Sequence, residues 1–181
     1  MSILIYAESA EGKIKKVALE LVSYAKKVAS SMGTTVTAVT INNKDNSVLA
    51  SYGVDKVVTV SNDKLNNFSA KAYADVLVQI AKKEGAQIIL VSSSTDSLYL
   101  APLVAVALEA GYASNVIALP ESITPFQVKR TAFSNKAVNL TVINTPIKVL
   151  GIAKNSFGLV ENTSAMTEES FAPSLNEADF S

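Results

Sequence analysis

Short apolar segments recur along this chain, and all but the last are followed by a stretch of helical period and then a glycine. No other feature constrains the fold as much. Ile3–Ala7 (ILIYA), Thr34–Ile41 (TTVTAVTI), Lys56–Val60 (KVVTV), Gln87–Val91 (QIILV) and Asn115–Leu119 (NVIAL) read as strands. They are apolar without alternation, as strands covered on both faces must be. Between them, apolar spacing predicts a helix over Lys13–Met32, with Ile14, Val17, Ala18, Leu21, Val22, Ala25, Val28 and Ala29 on one stripe. A short helix is predicted within Ser47–Gly53, and longer ones over about Ser69–Glu84 and Tyr99–Ala110. Gly33, Gly53, Gly85 and Gly111 stand where helix-ending glycines belong. This succession predicts an α/β fold, a three-layer sandwich whose mainly parallel sheet carries helices on both faces, with right-handed crossovers.

After Pro120 the rhythm changes. FQVKRTAF, KAVNLTVI and IKVLGIA follow one another across short turns at Ser134–Lys136 and Asn144–Pro146. Turns this short predict a C-terminal antiparallel β-meander with a hairpin at the sheet edge. From Glu161 the chain is polar, acidic and aperiodic, and reads as a linker or tail. The expected organisation is one domain over residues 1–160 and a tail over 161–181.

Composition excludes more than it suggests. Hydrophobic residues make up 49% of the 181, yet no apolar run approaches the roughly 18 residues that cross a bilayer. The opening MSILIYAES lacks a basic segment and reaches Glu8 at once, so it does not read as a signal peptide. A cytoplasmic protein is expected. Formal net charge is zero, which gives no support to a nucleic-acid or anionic-membrane surface. The chain has no Cys, His or Trp. Disulfides, thiolate nucleophiles, histidine bases and the zinc and haem sites built on those ligands are excluded. No catalytic set and no metal site is expected.

One stretch invites a ligand. In VSSSTDSLYLAPLVAVALEAG, Val91–Gly111, Ser92, Ser93, Ser94, Thr95 and Asp96 follow a strand and precede a helix. That is where α/β proteins hold phosphates. The alternative is a loop whose hydroxyls cap the helix. The loop has no glycine, the chain has no GxGxxG or Walker sequence, and Asp96 repels phosphate, so capping is the favoured reading. Pro102 lacks an N–H, and only the first four helical N–H groups go unpaired. The helix is therefore expected to begin no earlier than about Leu98, leaving Ser92–Ser97 as loop. At the same sheet edge, Glu8–Lys13 (ESAEGK) reads as a solvated capping loop. A metal held by Glu8, Glu11 and Asp96 is the weaker alternative. The helix that follows has only Glu109 to mark a wet side, so it is either sandwiched within the domain or pressed on another protein.

ILIYAES-EGKI, YGVDKVVTV, the run from ADVLVQIAKKEG through VSSSTDSLYLAPLVAVALEAGYASNVIAL, and VKRTAFSNKAVNLTVINTPIKVLGIAKNSF occur in an order that resembles the N-terminal domain of the electron transfer flavoprotein alpha subunit. The likeness covers about Ile3–Phe157, and Leu100-Ala101-Pro102 with the small-residue helix after it is its most specific part. The resemblance implies an adenine-nucleotide-hydrolase-like domain and a beta-subunit partner that binds AMP in many members. It implies FAD held by a further, flavodoxin-like domain that this sequence does not contain. In the full protein that FAD would carry electrons from acyl-CoA dehydrogenases and other flavin dehydrogenases to a quinone oxidoreductase or another acceptor. By the same resemblance the tail over 161–181 leads to the FAD domain. On this resemblance the domain itself would be a non-catalytic scaffold with no cofactor of its own, meeting the beta subunit through apolar helix and edge-strand surface. Two departures stand out. Where the family shows Gly-Arg-Asp before Leu-Ala-Pro, this chain has Ser97, Leu98 and Tyr99. Where it has an arginine near the end of the last strand, this chain has Ala153, followed by Lys154.

Two other functions compete. A stand-alone adenine-nucleotide-binding module of the universal-stress-protein type would place its ligand at Ser92–Asp96, but its late glycine-rich loop is missing. A Ser/Lys or carboxylate hydrolase lacks both a histidine and a nucleophile elbow.

Overall fold

The computed structural model describes residues 2–180; Met1 and Ser181, at the outer ends of the two expected segments, lie outside the described residues. In chain order the elements are β1 (Ser2–Tyr6), β2 (Ser9–Ala10), β3 (Lys13–Ile14), α1 (Lys16–Met32), β4 (Thr35–Ile41), α2 (Val48–Tyr52), β5 (Lys56–Val60), α3 (Ala70–Glu84), β6 (Ala86–Ser92), α4 (Thr95–Ala107), β7 (Gly111–Val116), β8 (Ser122–Ile123), β9 (Phe126–Ala132), β10 (Ala137–Ile143), β11 (Lys148–Ile152) and β12 (Thr167–Ser170). Short 3-10 turns occupy Asp63–Leu65 and Glu177–Phe180.

The main sheet has ten strands in the order β10-β9-β7-β11-β6-β1-β4-β5-β12, with β8 added to β9. From β7 to β12 all neighbours are parallel, and β8, β9 and β10 are antiparallel. The fold is thus the expected three-layer α/β sandwich. One core lies beneath α1 and α2, with Ile3, Ile5, Val36, Leu90 and Leu150 against Leu21, Tyr24 and Leu49. The other lies beneath α3 and α4, with Leu4, Val39, Ile89 and Val149 against Leu77, Ile80 and Leu100. Alternate residues of β1 and β4 enter opposite cores, which is why these strands are apolar throughout.

Several expected boundaries move. The antiparallel meander is confined to β8, β9 and β10: IKVLGIA crosses back to become β11, a parallel strand between β7 and β6. The Asn144–Pro146 turn therefore leads into a crossover, not a hairpin. Helix α1 starts at Lys16, because Lys13–Ile14 pairs with Ser9–Ala10 around the turn at Glu11 and Gly12. Strand β7 begins at Gly111, four residues before the expected Asn115. Gly111 does not cap a helix: its N–H donates to Thr145 Oγ1 at 2.8 Å, and an added Cβ would lie 2.5 Å from Ile143 Cγ2. Its small size is needed for close approach, and Glu109, at φ 51°, takes the left-handed position instead.

Parts of residues 161–180 lie against the domain: Asn162 N–H donates to the Ser51 carbonyl at 2.8 Å and Ser164 N–H to the Ala50 carbonyl at 2.9 Å. Thr167–Ser170 adds to the sheet edge beside β5, and Phe171, Leu175 and Phe180 pack on the α3/α4 core. Gln79 on α3 exchanges two hydrogen bonds with the backbone of Ser174, at 2.8 and 2.9 Å. The segment lacks period because it lies extended along one edge and sends only every few residues inward.

Among the described residues, no helix is long and apolar enough to cross a membrane.

Candidate functional site at the strand ends

After β1 the chain passes over one face through α1 to reach β4, and later returns over the other face through α3 to reach β6 on the opposite side of β1. Between β1 and β6 the direction of winding reverses. Crevices at such a switch, outside the carboxyl ends of the strands, are where α/β sheets receive ligands. The loop after β1 contributes Glu8, and the end of β6 contributes the serines.

Here the crevice holds a carboxylate from the chain itself. Glu8 is only 3% exposed. Its Oε1 accepts from the hydroxyls of Ser94 and Ser97, each at 2.6 Å, and of Ser92 at 2.5 Å. Its Oε2 pairs with Lys15 Nζ at 3.2 Å. The β2–β3 turn makes this possible: it folds the chain back so that Lys15 N–H reaches the Glu8 carbonyl at 2.9 Å, aiming the side chain inward. Glu8 is therefore not the solvated capping residue expected from the sequence. Burial pushes the Glu8 carboxyl up, but the three hydroxyls and the Lys15 ammonium outweigh that and hold it below its ordinary value.

The serines also start the helix. Ser94 caps α4, accepting from Ser97 N–H at 3.1 Å, and Ser92 Oγ accepts from Ser94 N–H at 3.1 Å. Ser93 donates to the Ile152 carbonyl on β11 at 2.8 Å. Thr95 is exposed and Asp96 half-buried in the first helical turn. Ser92–Ser97 is thus not a loop. Helix α4 begins at Thr95, and Pro102 lies inside it with its ring on the exposed side. An interior proline costs about 3 kcal/mol. The serine cap, the contacts to Glu8 and the burial of Leu100, Ala101 and Val104 offset that cost. The negative carboxylate also sits favourably at a helix N-terminus.

Glu11 lies exposed in the β2–β3 turn. Among the described residues, no group of three metal-ligating side chains is placed to hold an ion, so Glu8, Glu11 and Asp96 do not form the chelate weighed above.

A second inward carboxylate escaped sequence reading. Glu20, 6% exposed, lies on the core side of α1 and accepts from the backbone N–H groups of Asn155 at 3.0 Å and of Phe157 and Gly158 at 3.1 Å. Burial raises its carboxyl, and these N–H groups more than reverse the effect, so it too is held low. It fixes the turn after β11, beside Ala153 and Lys154. The signal was present: Glu20 falls on the same helical face as Val17, Leu21 and Tyr24, where a charge calls for a buried partner.

Residues 3–175 match the family model described as the electron transfer flavoprotein domain. The electron transfer flavoprotein subunit alpha of Thermoanaerobacterium thermosaccharolyticum is 32% identical over 120 residues, 65% of this chain and 36% of that protein. That of Syntrophomonas wolfei is 28% identical over 163 residues, 88% of this chain and 50% of that protein. The lactate dehydrogenase (NAD(+),ferredoxin) subunit LctC of Acetobacterium woodii is 29% identical over 149 residues, 79% of this chain and 35% of that protein. The chain spans about a third to a half of the length of the curated relatives it matches.

Proposed function

The chain belongs to the electron transfer flavoprotein domain family, and from that premise we propose that it is the N-terminal scaffold domain of an alpha subunit, pairing with a beta subunit. A role in electron transfer follows from the family. In the whole protein, FAD bound outside these 181 residues carries electrons from acyl-CoA dehydrogenases or other flavin dehydrogenases to a quinone oxidoreductase or another acceptor. The domain itself is an electron carrier's framework and performs no catalysis.

The observation that carries the scaffold reading is Glu8. The switch point is filled by the chain's own carboxylate, bonded to Ser92, Ser94 and Ser97. A nucleotide phosphate entering there would meet a buried negative charge and would have to displace four partners. This weighs against the stand-alone nucleotide-binding module and leaves AMP to the partner, as the resemblance implies.

Co-expression with the beta subunit of the same organism tests the proposal. A stable one-to-one complex is expected, with adenine nucleotide released only on denaturing the beta chain. Failure to co-purify, together with micromolar binding of AMP or ATP by this chain alone, would replace the scaffold reading with the nucleotide module.

A further inference from the structure

The loops that leave β4 and β5 meet outside the carboxyl ends of these strands, at the same sheet edge as Glu8. Between them lies a cavity of about 400 Å³, within the roughly 300–1,000 Å³ of small-molecule sites. Four asparagines line it, Asn42, Asn43, Asn62 and Asn66, and Lys44 and Asp63 add one charge of each sign. Asn42 ties the two loops together. It stands at φ 51°, its Oδ1 accepts from Asn62 N–H at 2.8 Å, and its Nδ2 donates to the Asn62 carbonyl and to Asn66 Oδ1, each at 2.9 Å. Asn43 is only 7% exposed, and its Nδ2 donates to the Asp45 carbonyl at 2.7 Å and to Asn46 Oδ1 at 2.8 Å. Both of these partners are oxygens, so the amide nitrogen must face them. The Asn43 Oδ1 is buried and, among the described residues, has no hydrogen-bond partner. Folded proteins rarely leave a buried acceptor so.

We propose that this cavity binds a neutral polyhydroxylated molecule, a sugar or polyol, with one hydroxyl donating to Asn43 Oδ1. The lining selects this class. A carboxylate or phosphate brings acceptors, and would face Asn43 Oδ1 and the Asp63 carboxylate. A cation would face Lys44, and among the described residues no three carboxylates gather to hold one. An apolar ligand finds no apolar wall, since every lining residue is polar. Amides and hydroxyls each both donate and accept. One hydroxyl can therefore serve Asn43 Oδ1 while a neighbouring one accepts from Nδ2 of Asn66, whose Oδ1 is already taken by Asn42. The cavity shares no residue with the Glu8 cluster, and the inference is independent of the flavoprotein reading.

Titration of the isotope-labelled 181-residue chain with D-ribose and with glycerol, followed by amide chemical shifts, tests it. Saturating shifts confined to residues 42–46 and 61–66 are expected, with a dissociation constant in the millimolar range. The tighter of the two probes identifies the source as a ring sugar or an open-chain polyol. Asn43→Ala should abolish saturation. Asn66→Ala, at an exposed position, should weaken binding about fivefold with unchanged far-UV circular dichroism, and so decides the matter where Asn43→Ala disturbs its own loop. Shifts that grow linearly and spread over the surface would overturn the proposal, as would binding that both variants leave unchanged. So would tighter saturation of the same amides by inorganic phosphate or calcium. AMP binding there about a hundredfold tighter than ribose would also overturn it, in favour of the nucleotide module.

Discussion

Ser97 Oγ donates to Glu8 Oε1 at 2.6 Å, joining residues 89 positions apart in the chain. This bond ties the loop after the first strand to the first turn of α4 across the switch point of the sheet. A motif that reads locally as a phosphate cradle is closed by a carboxylate brought from far away in sequence.

Glu8→Ala should destabilise the domain by about 2–4 kcal/mol, because the buried hydroxyls of Ser92 and Ser97, the half-buried one of Ser94 and a helix terminus lose their acceptor. Glu8→Gln, which keeps one carbonyl oxygen, should cost less. Urea unfolding followed by circular dichroism measures both. The carboxyl is held low in the folded state, so its charge contributes stability above the ordinary glutamate value of ~4.3 that is lost as pH falls through the lower folded value. In Glu8→Gln that part of the acid loss should vanish; an unchanged acid profile would refute it.

The C-terminal strap should be released by acid and by salt. Glu169 bridges Lys56, at 2.6 Å, and Lys83. The hydrogen bonds from Lys56 and then Lys83 lower its carboxyl to about 2. The tie is present above the ordinary glutamate value and lost as pH falls through about 2. Exposed pairs are also screened by salt. Hydrogen exchange at 167–170 should quicken selectively in high salt, and Glu169→Gln should reproduce that at low salt. Uniform protection in both would count against it.

Gly111→Ala should cost about 1–3 kcal/mol by overpacking, since the new methyl group meets Ile143 Cγ2 at 2.5 Å and Thr145 Oγ1 at 2.8 Å. Gly151→Ala, whose nearest atoms lie 3.6 Å away, should be much milder. Thermal unfolding of the two variants ranks them, and the reverse order would contradict the close-approach role of Gly111.

Tyr24 is fully buried and donates to the Ala118 carbonyl at 2.9 Å. Its burial pushes the phenol well up. Tyr24→Phe should keep the edge-on contact with Phe157, at 5.7 Å between centroids, and lose about 1–2 kcal/mol through the orphaned carbonyl. Equal stability of variant and parent in urea would show that water replaces the hydroxyl there.

The order of elements was legible because period and strand composition are local signals. β1, β4, β5 and β6 were readable from runs of apolar residues, and α1 and α3 from one buried stripe each. α4 misled on both counts: being apolar on both sides it has no stripe to read, and its proline suggested a later start than Ser94 and Glu8 impose. β11 was misplaced and β12 was missed for the opposite reason. Short strands state what they bury but not which neighbour they join, and pairing is decided by crossovers over many residues.

By itself, the sequence determined a two-sided parallel sheet, because only strands buried on both faces tolerate so little alternation. It also excluded every chemistry that needs cysteine or histidine. The assembled fold alone shows that Glu8 fills the switch point, that Glu20 holds the turn after β11, that Thr167–Ser170 of the polar segment joins the sheet edge, and that apolar surface remains outside. Each of these depends on contacts between residues distant in the chain, and the geometry of such contacts exists only once the sheet has assembled.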